Sequence, residues 1–108
     1  MVARVVTLAF EGVEAQRVDC EVQLVGGNVN FIVVGLGDKA VGESRERVRA
    51  AFAGLGLALP AKRLVVNLAP ADLPKEGSHY DLPIALGILA AMDIIPSGAL
   101  DGWAAMGE

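Results

Sequence analysis

Between Arg17 and Leu24 the chain alternates without a break: Val18, Cys20, Val22 and Leu24 are apolar, and Arg17, Asp19, Glu21 and Gln23 are polar. Successive side chains of a strand point to opposite faces, so this period of two predicts a half-buried antiparallel strand. The neighbouring segments read as its companions. Val2 to Phe10 is β-branched and apolar before Glu11-Gly12 punctuates it, and Phe31 to Val34 is a short apolar run. Gly26-Gly27-Asn28 tolerates positive φ and predicts a hairpin turn between the second and third strands. Three strands in series predict a meander.

Helical spacing begins after Asp38, which is expected to act as N-cap. Val41, Val48, Phe52 and Leu55 fall within a ~60° arc when successive residues turn by ~100°. Arg45 and Arg49 flank one edge of this stripe and Arg47 the other, with Glu43 and Arg47 paired at i,i+4 on the wet side. Gly54 and Gly56 are expected to end the helix, and Pro60 prevents its resumption. Lys62 to Leu68 reads as another strand, so a strand–helix–strand crossover and a parallel or mixed sheet follow. Pro70 to His79 is a polar loop. A second helix is expected over Leu82 to Met92, with Asp81 as cap and Pro83 in its first turn. It is apolar nearly all round and should be sandwiched. Ser97-Gly98 reads as a turn. Trp103, assigned to core packing, opens an apolar run to Met106 that reads as the start of a strand continuing in a longer protein.

At 108 residues, 54% of them hydrophobic and 5% aromatic, the chain is one small domain with a core of Val, Leu, Ile and Ala. The apolar stretch Leu82 to Met92 falls short of the ~20 residues of a membrane span. The N-terminus lacks the layout of a signal peptide. Cys20, the single cysteine, cannot form an internal disulfide and is expected as a small core residue. A cytoplasmic location without a membrane partner is the expectation. The net charge of −4 argues against coating nucleic acid with the whole surface. Yet Lys39 to Arg63 holds six bases against two acids, leaving three bases against eleven acids elsewhere. Arg45, Arg47, Arg49, Lys62 and Arg63 could therefore present a basic face to an anionic partner. The plainer reading, and the preferred one, is a solvated helix flank.

Chemical motifs are few. There is no GxxxxGK[ST], and Gly35-Leu36-Gly37 before a helix lacks the third glycine of a dinucleotide fingerprint. One His and one Cys, far apart, lack zinc spacing. Asp72, Glu76 and Asp81 could gather a hard cation, although loop acids are ordinarily just solvated. Ser78, His79 and Asp81 suggest a catalytic triad by composition. Sequence neighbours project in different directions, however, and helix capping accounts for Ser78 and Asp81 more simply. No catalytic, cofactor-binding or metal-ligating residue is assigned.

Five blocks carry a family resemblance: Gly12-Val-Glu-Ala15, Val34-Gly-Leu-Gly-Asp38, Glu43-Ser-Arg-Glu-Arg-Val-Arg-Ala50, Val66-Asn-Leu-Ala-Pro-Ala71 and Pro74 to Ala90. Together, in this order, they resemble the N-terminal domain of the YifB/ComM family of magnesium-chelatase-like AAA+ ATPases. Gly37 stands where the family usually has proline, which loosens the helix entry. The resemblance implies an α+β fold similar to the proteolytic domain of Lon and to ribosomal protein S-five domain 2. Its mixed sheet would carry helices on one side and include a left-handed crossover. The family includes a competence-linked branch-migration helicase. Homo-hexamer formation, ATP with Mg2+, and Walker motifs beyond residue 108 are implied for the longer protein, with its AAA+ core, and through the ring DNA, as partners.

Lon's active loop can be laid on Pro74-Lys75-Glu76-Gly77-Ser78-His79-Tyr80-Asp81. The nucleophilic serine of that family falls on His79, and Ser78 takes the place of the preceding proline. Lon's partner lysine lies further along its chain, whereas Lys39, Lys62 and Lys75 all precede Ser78. A serine without a base is a poor nucleophile at neutral pH. The resemblance thus implies a degenerate protease loop (Lys75, Gly77, Ser78, His79, Asp81) in a non-catalytic accessory domain. A residual Ser78-dependent peptidase and a purely structural module are the alternatives.

Overall fold

The computed structural model describes residues 2–96 and 98–108. Ser97, read from sequence as part of a turn, lies outside the described residues. The elements are β1 (Val2–Glu11), β2 (Glu14–Val25), β3 (Asn30–Val34), α1 (Asp38–Gly54), β4 (Arg63–Ala69) and α2 (Asp81–Ala91). The strands form one mixed sheet in the order β1-β2-β4-β3. β1 pairs antiparallel with β2, β2 antiparallel with β4, and β3 parallel with β4.

This order corrects the meander. β4 lies between β2 and β3, so the Gly26-Gly27-Asn28 segment links two strands that do not pair. The physical reason is visible in β4. Leu64, Val66 and Leu68 are buried, and Val65 and Asn67 on the other face are half-buried. A strand at least half-buried on both faces belongs in the middle of a sheet, and β3, only five residues long, takes the edge. The crossover through α1 then makes β3 and β4 parallel, as the strand–helix–strand pattern required.

Register places the core in rows. Ala3, Val22, Val66 and Val33 stand across all four strands, and Val5, Cys20 and Leu68 across three. Both helices close over this face, because Val48 and Phe52 of α1 and Ile84 and Ile88 of α2 join the same buried cluster. The fold is therefore α+β, a mixed sheet with both helices on one side. α2 packs tightly on the sheet at Gly87, where an added Cβ would lie 2.5 Å from Val22 Cγ2.

Helix ends differ from expectation in detail. The N-cap of α1 is Gly37, in an extended conformation (φ −66°, ψ 154°) and without a side-chain cap bond, and Asp38 is the first helical residue. At the other end Gly56 N–H donates to Ala53 O (3.0 Å) and Leu57 N–H to Phe52 O (2.9 Å). Gly56 has φ +72°, so the glycine closes the helix in a Schellman arrangement. Leu55, placed on the apolar stripe by its spacing, sits past the last turn and is 69% exposed. Its place facing the core is taken instead by Ser44, which is buried. Trp103, assigned to the core, is 72% exposed. The segment it opens reaches the sheet through Ala104, which bridges to Val6 in parallel, and Ala105, whose N–H donates to Val6 O (2.9 Å). Among the described residues no helix is long and apolar enough to cross a membrane.

Candidate functional site

The loop between β4 and α2, the first turn of α2 and the closing segment 104–108 meet beside the N-terminus of α2. Lys75 anchors the loop. It is buried, and its Nζ donates to Pro70 O (2.6 Å) and Leu73 O (3.0 Å). Burial pushes its ammonium below the ordinary lysine range, opposed by the charge of Asp72. One side chain bonds two carbonyls of the loop, of which Pro70 O also accepts from Leu73 N–H (3.4 Å). Lys75 is thus held as a brace.

Ser78 and His79 point to different partners. Ser78 Oγ donates to a carboxylate oxygen of Glu108. His79 Nε2 lies 2.8 Å from Leu8 O on the free edge of β1, which assigns the Nε2–H tautomer, since a carbonyl only accepts. Its ring also packs between Phe10 (6.0 Å between centroids) and Tyr80 (4.1 Å). Tyr80 is fully buried, and desolvation raises its hydroxyl above the ordinary tyrosine range. The closing segment completes the site: Gly107 N–H donates to His79 O (2.9 Å), and Leu82 N–H in the first turn of α2 donates to Gly107 O (2.9 Å).

Asp81 is the first residue of α2, after Tyr80 as N-cap, and makes no cap bond; this corrects the capping assignment. Its carboxylate turns to the other helix instead. Ser44 Oγ donates to Oδ1 (2.6 Å), Arg47 Nη2 donates to Oδ1 (3.2 Å), and Arg47 Nε donates to Oδ2. The side chain of Asp81 is 6% exposed, so this fork ties α1 to α2 within the core. The bond to Asp81 is the main cause that raises Arg47 above the ordinary arginine range. Sequence reasoning missed Ser44. Its signal was a hydroxyl on the apolar stripe, three residues after Val41 and four before Val48.

Ser78, His79 and Asp81 therefore do not converge. Each is bonded to a different part of the fold, in helical braces and edge contacts. A nucleophile needs a base that is itself oriented by a third group. Among the described residues the Ser78 hydroxyl bonds only to Glu108, and its neighbour His79 is committed to Leu8 O. Gly35 likewise serves packing: with φ +104°, an added Cβ would stand 2.4 Å from Leu68 O. Among the described residues no group of three or more His, Cys, Asp or Glu is placed to hold a metal ion. Asp72, Glu76 and Asp81 do not gather.

The basic window divides. Arg47 is taken by Asp81, with Glu43 at 3.9 Å, and Arg45 Nη1 donates to Phe31 O (3.0 Å). Arg49 lies over the Phe31 ring, 5.6 Å from its centroid, with Glu46 at 4.0 Å and half of its side chain exposed. Lys62 is exposed and Arg63 half-buried at the start of β4. Arg49, Lys62 and Arg63 thus keep cationic surface, whereas Arg45 and Arg47 serve the fold.

A two-helix α+β domain with a braced, non-convergent loop of this sequence can be set against known proteins. Residues 20–108 match the family described as subunit ChlI of Mg-chelatase. The chain is 51% identical over 98 residues to the competence protein ComM of Haemophilus influenzae, which covers 91% of this chain and 19% of that protein. It is 45% identical over 102 residues to the uncharacterized protein YifB of Escherichia coli, covering 94% of this chain and 20% of that one. An uncharacterized protein of Mycobacterium tuberculosis, Rv2897c, is 38% identical over 105 residues, 97% of this chain and 21% of its own. The chain belongs to this magnesium-chelatase-like family, as the N-terminal domain of its ComM/YifB members. It spans about one fifth of the length of the curated relatives it matches.

Proposed function

We propose that this is a non-catalytic accessory domain of a cytoplasmic magnesium-chelatase-like AAA+ ATPase, related to Lon's proteolytic domain in fold and acting in DNA branch migration. In the assembled hexamer the domain positions DNA or a protein partner, or supports the ring, while ATP and Mg2+ are handled by the AAA+ core of the longer protein. The observation that carries the reading is the fate of His79. It occupies the position of Lon's nucleophile and is used as a hydrogen-bond donor to Leu8 O, against an aromatic neighbour on either side. A side chain so committed holds the loop to the sheet edge.

Support for a partner-facing role comes from the charge left over after the fold is satisfied. Arg49, Lys62 and Arg63 lie at one end of the domain and are not needed for the tie between the helices. A test in the full-length protein removes residues 1–108. The account expects DNA loading or ring assembly to fall while ATP hydrolysis by the remaining core persists. Unchanged assembly and DNA remodelling after the deletion would reject an accessory role. A DNA-positioning role, as against a protein-positioning one, requires that Arg49, Lys62 and Arg63 changed together to glutamate weaken DNA binding and flatten its salt dependence. Arg47 is left out of that set, since its loss would disturb the fold.

A further inference from the structure

The edge of the sheet at β3 carries a groove of about 320 Å³. Its walls are Val29, Leu59, Pro60 and Ala61, and its floor is Phe31 and Leu64, both buried. Val29 is 69% exposed, a large aliphatic side chain turned to solvent on the rim. Arg49 lines the groove directly, and Lys62 stands next to Ala61, its carbonyl accepting from Asn30 N–H (3.4 Å). The acid near these cations is Glu46, 4.0 Å from Arg49 Nε. An apolar slot edged by positive charge is therefore set into a domain whose remaining surface is acidic.

The backbone of β3 limits how a partner can approach. Asn30 N–H faces β4, so Phe31 and Val33 turn their backbone groups to the free edge. At Phe31 both are already taken: its N–H donates to Asn30 Oδ1 (2.8 Å), and its carbonyl accepts from Arg45 (3.0 Å). Side chains have closed the edge there, a known guard against unwanted strand pairing. At Phe31, beside the groove, no backbone group is left for a partner strand, so a partner seated there must bind through side chains. Nucleic acid fits poorly as well. Apart from Asn30 and Arg49 the lining offers apolar carbon, and the one aromatic ring in it, Phe31, is covered by Arg49 and cannot stack a base.

We propose that this groove docks an acidic, apolar-centred segment of a partner protein, with an aliphatic side chain seated between Val29 and Leu59 and flanking carboxylates on Arg49 and Lys62. The proposal rests on the accessory reading and names the partner class of that domain. Burial of one aliphatic side chain supplies affinity, and the cations supply selection against neutral or basic sequences.

The test uses the 108-residue chain, isotope-labelled, and an octapeptide Gly-Glu-Asp-Leu-Leu-Asp-Glu-Gly blocked at both ends. Amide shifts should move at Val29 to Phe31 and Leu59 to Leu64. The same peptide with Gln and Asn for its acids, or with Ser for its leucines, should bind about tenfold more weakly. Arg49→Glu together with Lys62→Glu should have the same effect. Lys62→Glu alone, at an exposed site that leaves the fold intact, should weaken binding about threefold. Shifts elsewhere on the domain, no shifts, or binding indifferent to Lys62→Glu would overturn the proposal. Tighter binding of an oligothymidylate of equal charge in the groove would overturn it in favour of nucleic acid. None of these results touches the accessory reading, which is judged by deletion in the full-length protein.

Discussion

Replacing Asp81 with alanine tests the tie between the helices. The carboxylate is buried and accepts from Ser44 and twice from Arg47. Removing it leaves the Ser44 hydroxyl, itself buried, without its acceptor, a loss of about 1–3 kcal/mol. Arg47 is over a third exposed and keeps Glu43 at 3.9 Å, so it can rehydrate and no further penalty is assigned to it. A loss near 2 kcal/mol lowers Tm by roughly 8–16 °C in a domain of this size. In urea, with a slope of ~1–3 kcal/mol per M, it moves the midpoint by about 1 M. Circular dichroism at 222 nm is the suitable probe, because Trp103 is largely exposed and its fluorescence would respond weakly. A double-mutant cycle with Ser44→Ala decides the mechanism. If Asp81 ties the helices, the two losses overlap by about 1 kcal/mol or more. If Asp81 merely capped α2, Ser44→Ala would leave its contribution untouched and the two losses would add. Additive losses would refute the reasoning.

Gly37→Pro should stabilise the chain by about 0.4–1 kcal/mol, read as a raised urea midpoint, because Gly37 already has φ −66° and an added Cβ meets nothing within 4 Å. Gly87→Ala should cost about 1–3 kcal/mol in the same assay, since the new Cβ would press on Val22 Cγ2 at 2.5 Å. Cys20 should resist alkylation in the folded protein and react on unfolding, because burial, helped by the nearby Glu21, pushes its thiol up to about 12. The raised folded value means that Cys20 favours the fold below the unfolded pKa of ~8.5, and that this contribution fades as pH climbs towards 12. Alkaline denaturation curves of Cys20→Ala should therefore fall less steeply above pH ~9.

Elements were legible where a single period ruled. β2 shows its alternation through buried Val18, Cys20 and Val22, and the Gly54 and Gly56 pair marks the end of α1 where the Schellman bonds lie. Sheet order was not legible, because a turn signal such as Gly26-Gly27 permits a reversal without saying which strand fills the space beside it. The role of Asp81 was hidden for a similar reason. An acid before a helix suits capping locally, and only the packing of α1 against α2 brings Ser44 and Arg47, more than thirty residues away, to its carboxylate. Trp103 was misplaced because a large apolar side chain favours burial on average, whereas here it lines an open hollow with Arg4, Arg17 and Asp101 beside β1 and stays largely exposed. The loop from Lys75 to Asp81 was legible as a cluster of chemically distinctive residues. Its physical use was not, since the acceptors of Lys75 and His79 are backbone carbonyls that carry no sequence signal.

The central claim is that the Ser78–His79 loop braces the fold and performs no acyl chemistry. Incubation of the 108-residue chain with a fluorophosphonate probe, followed by intact-mass analysis, tests it most directly. The account expects no adduct at Ser78, because among the described residues its hydroxyl bonds only to Glu108, an exposed carboxylate that no third group is seen to orient. Stoichiometric labelling that disappears in Ser78→Ala would contradict it.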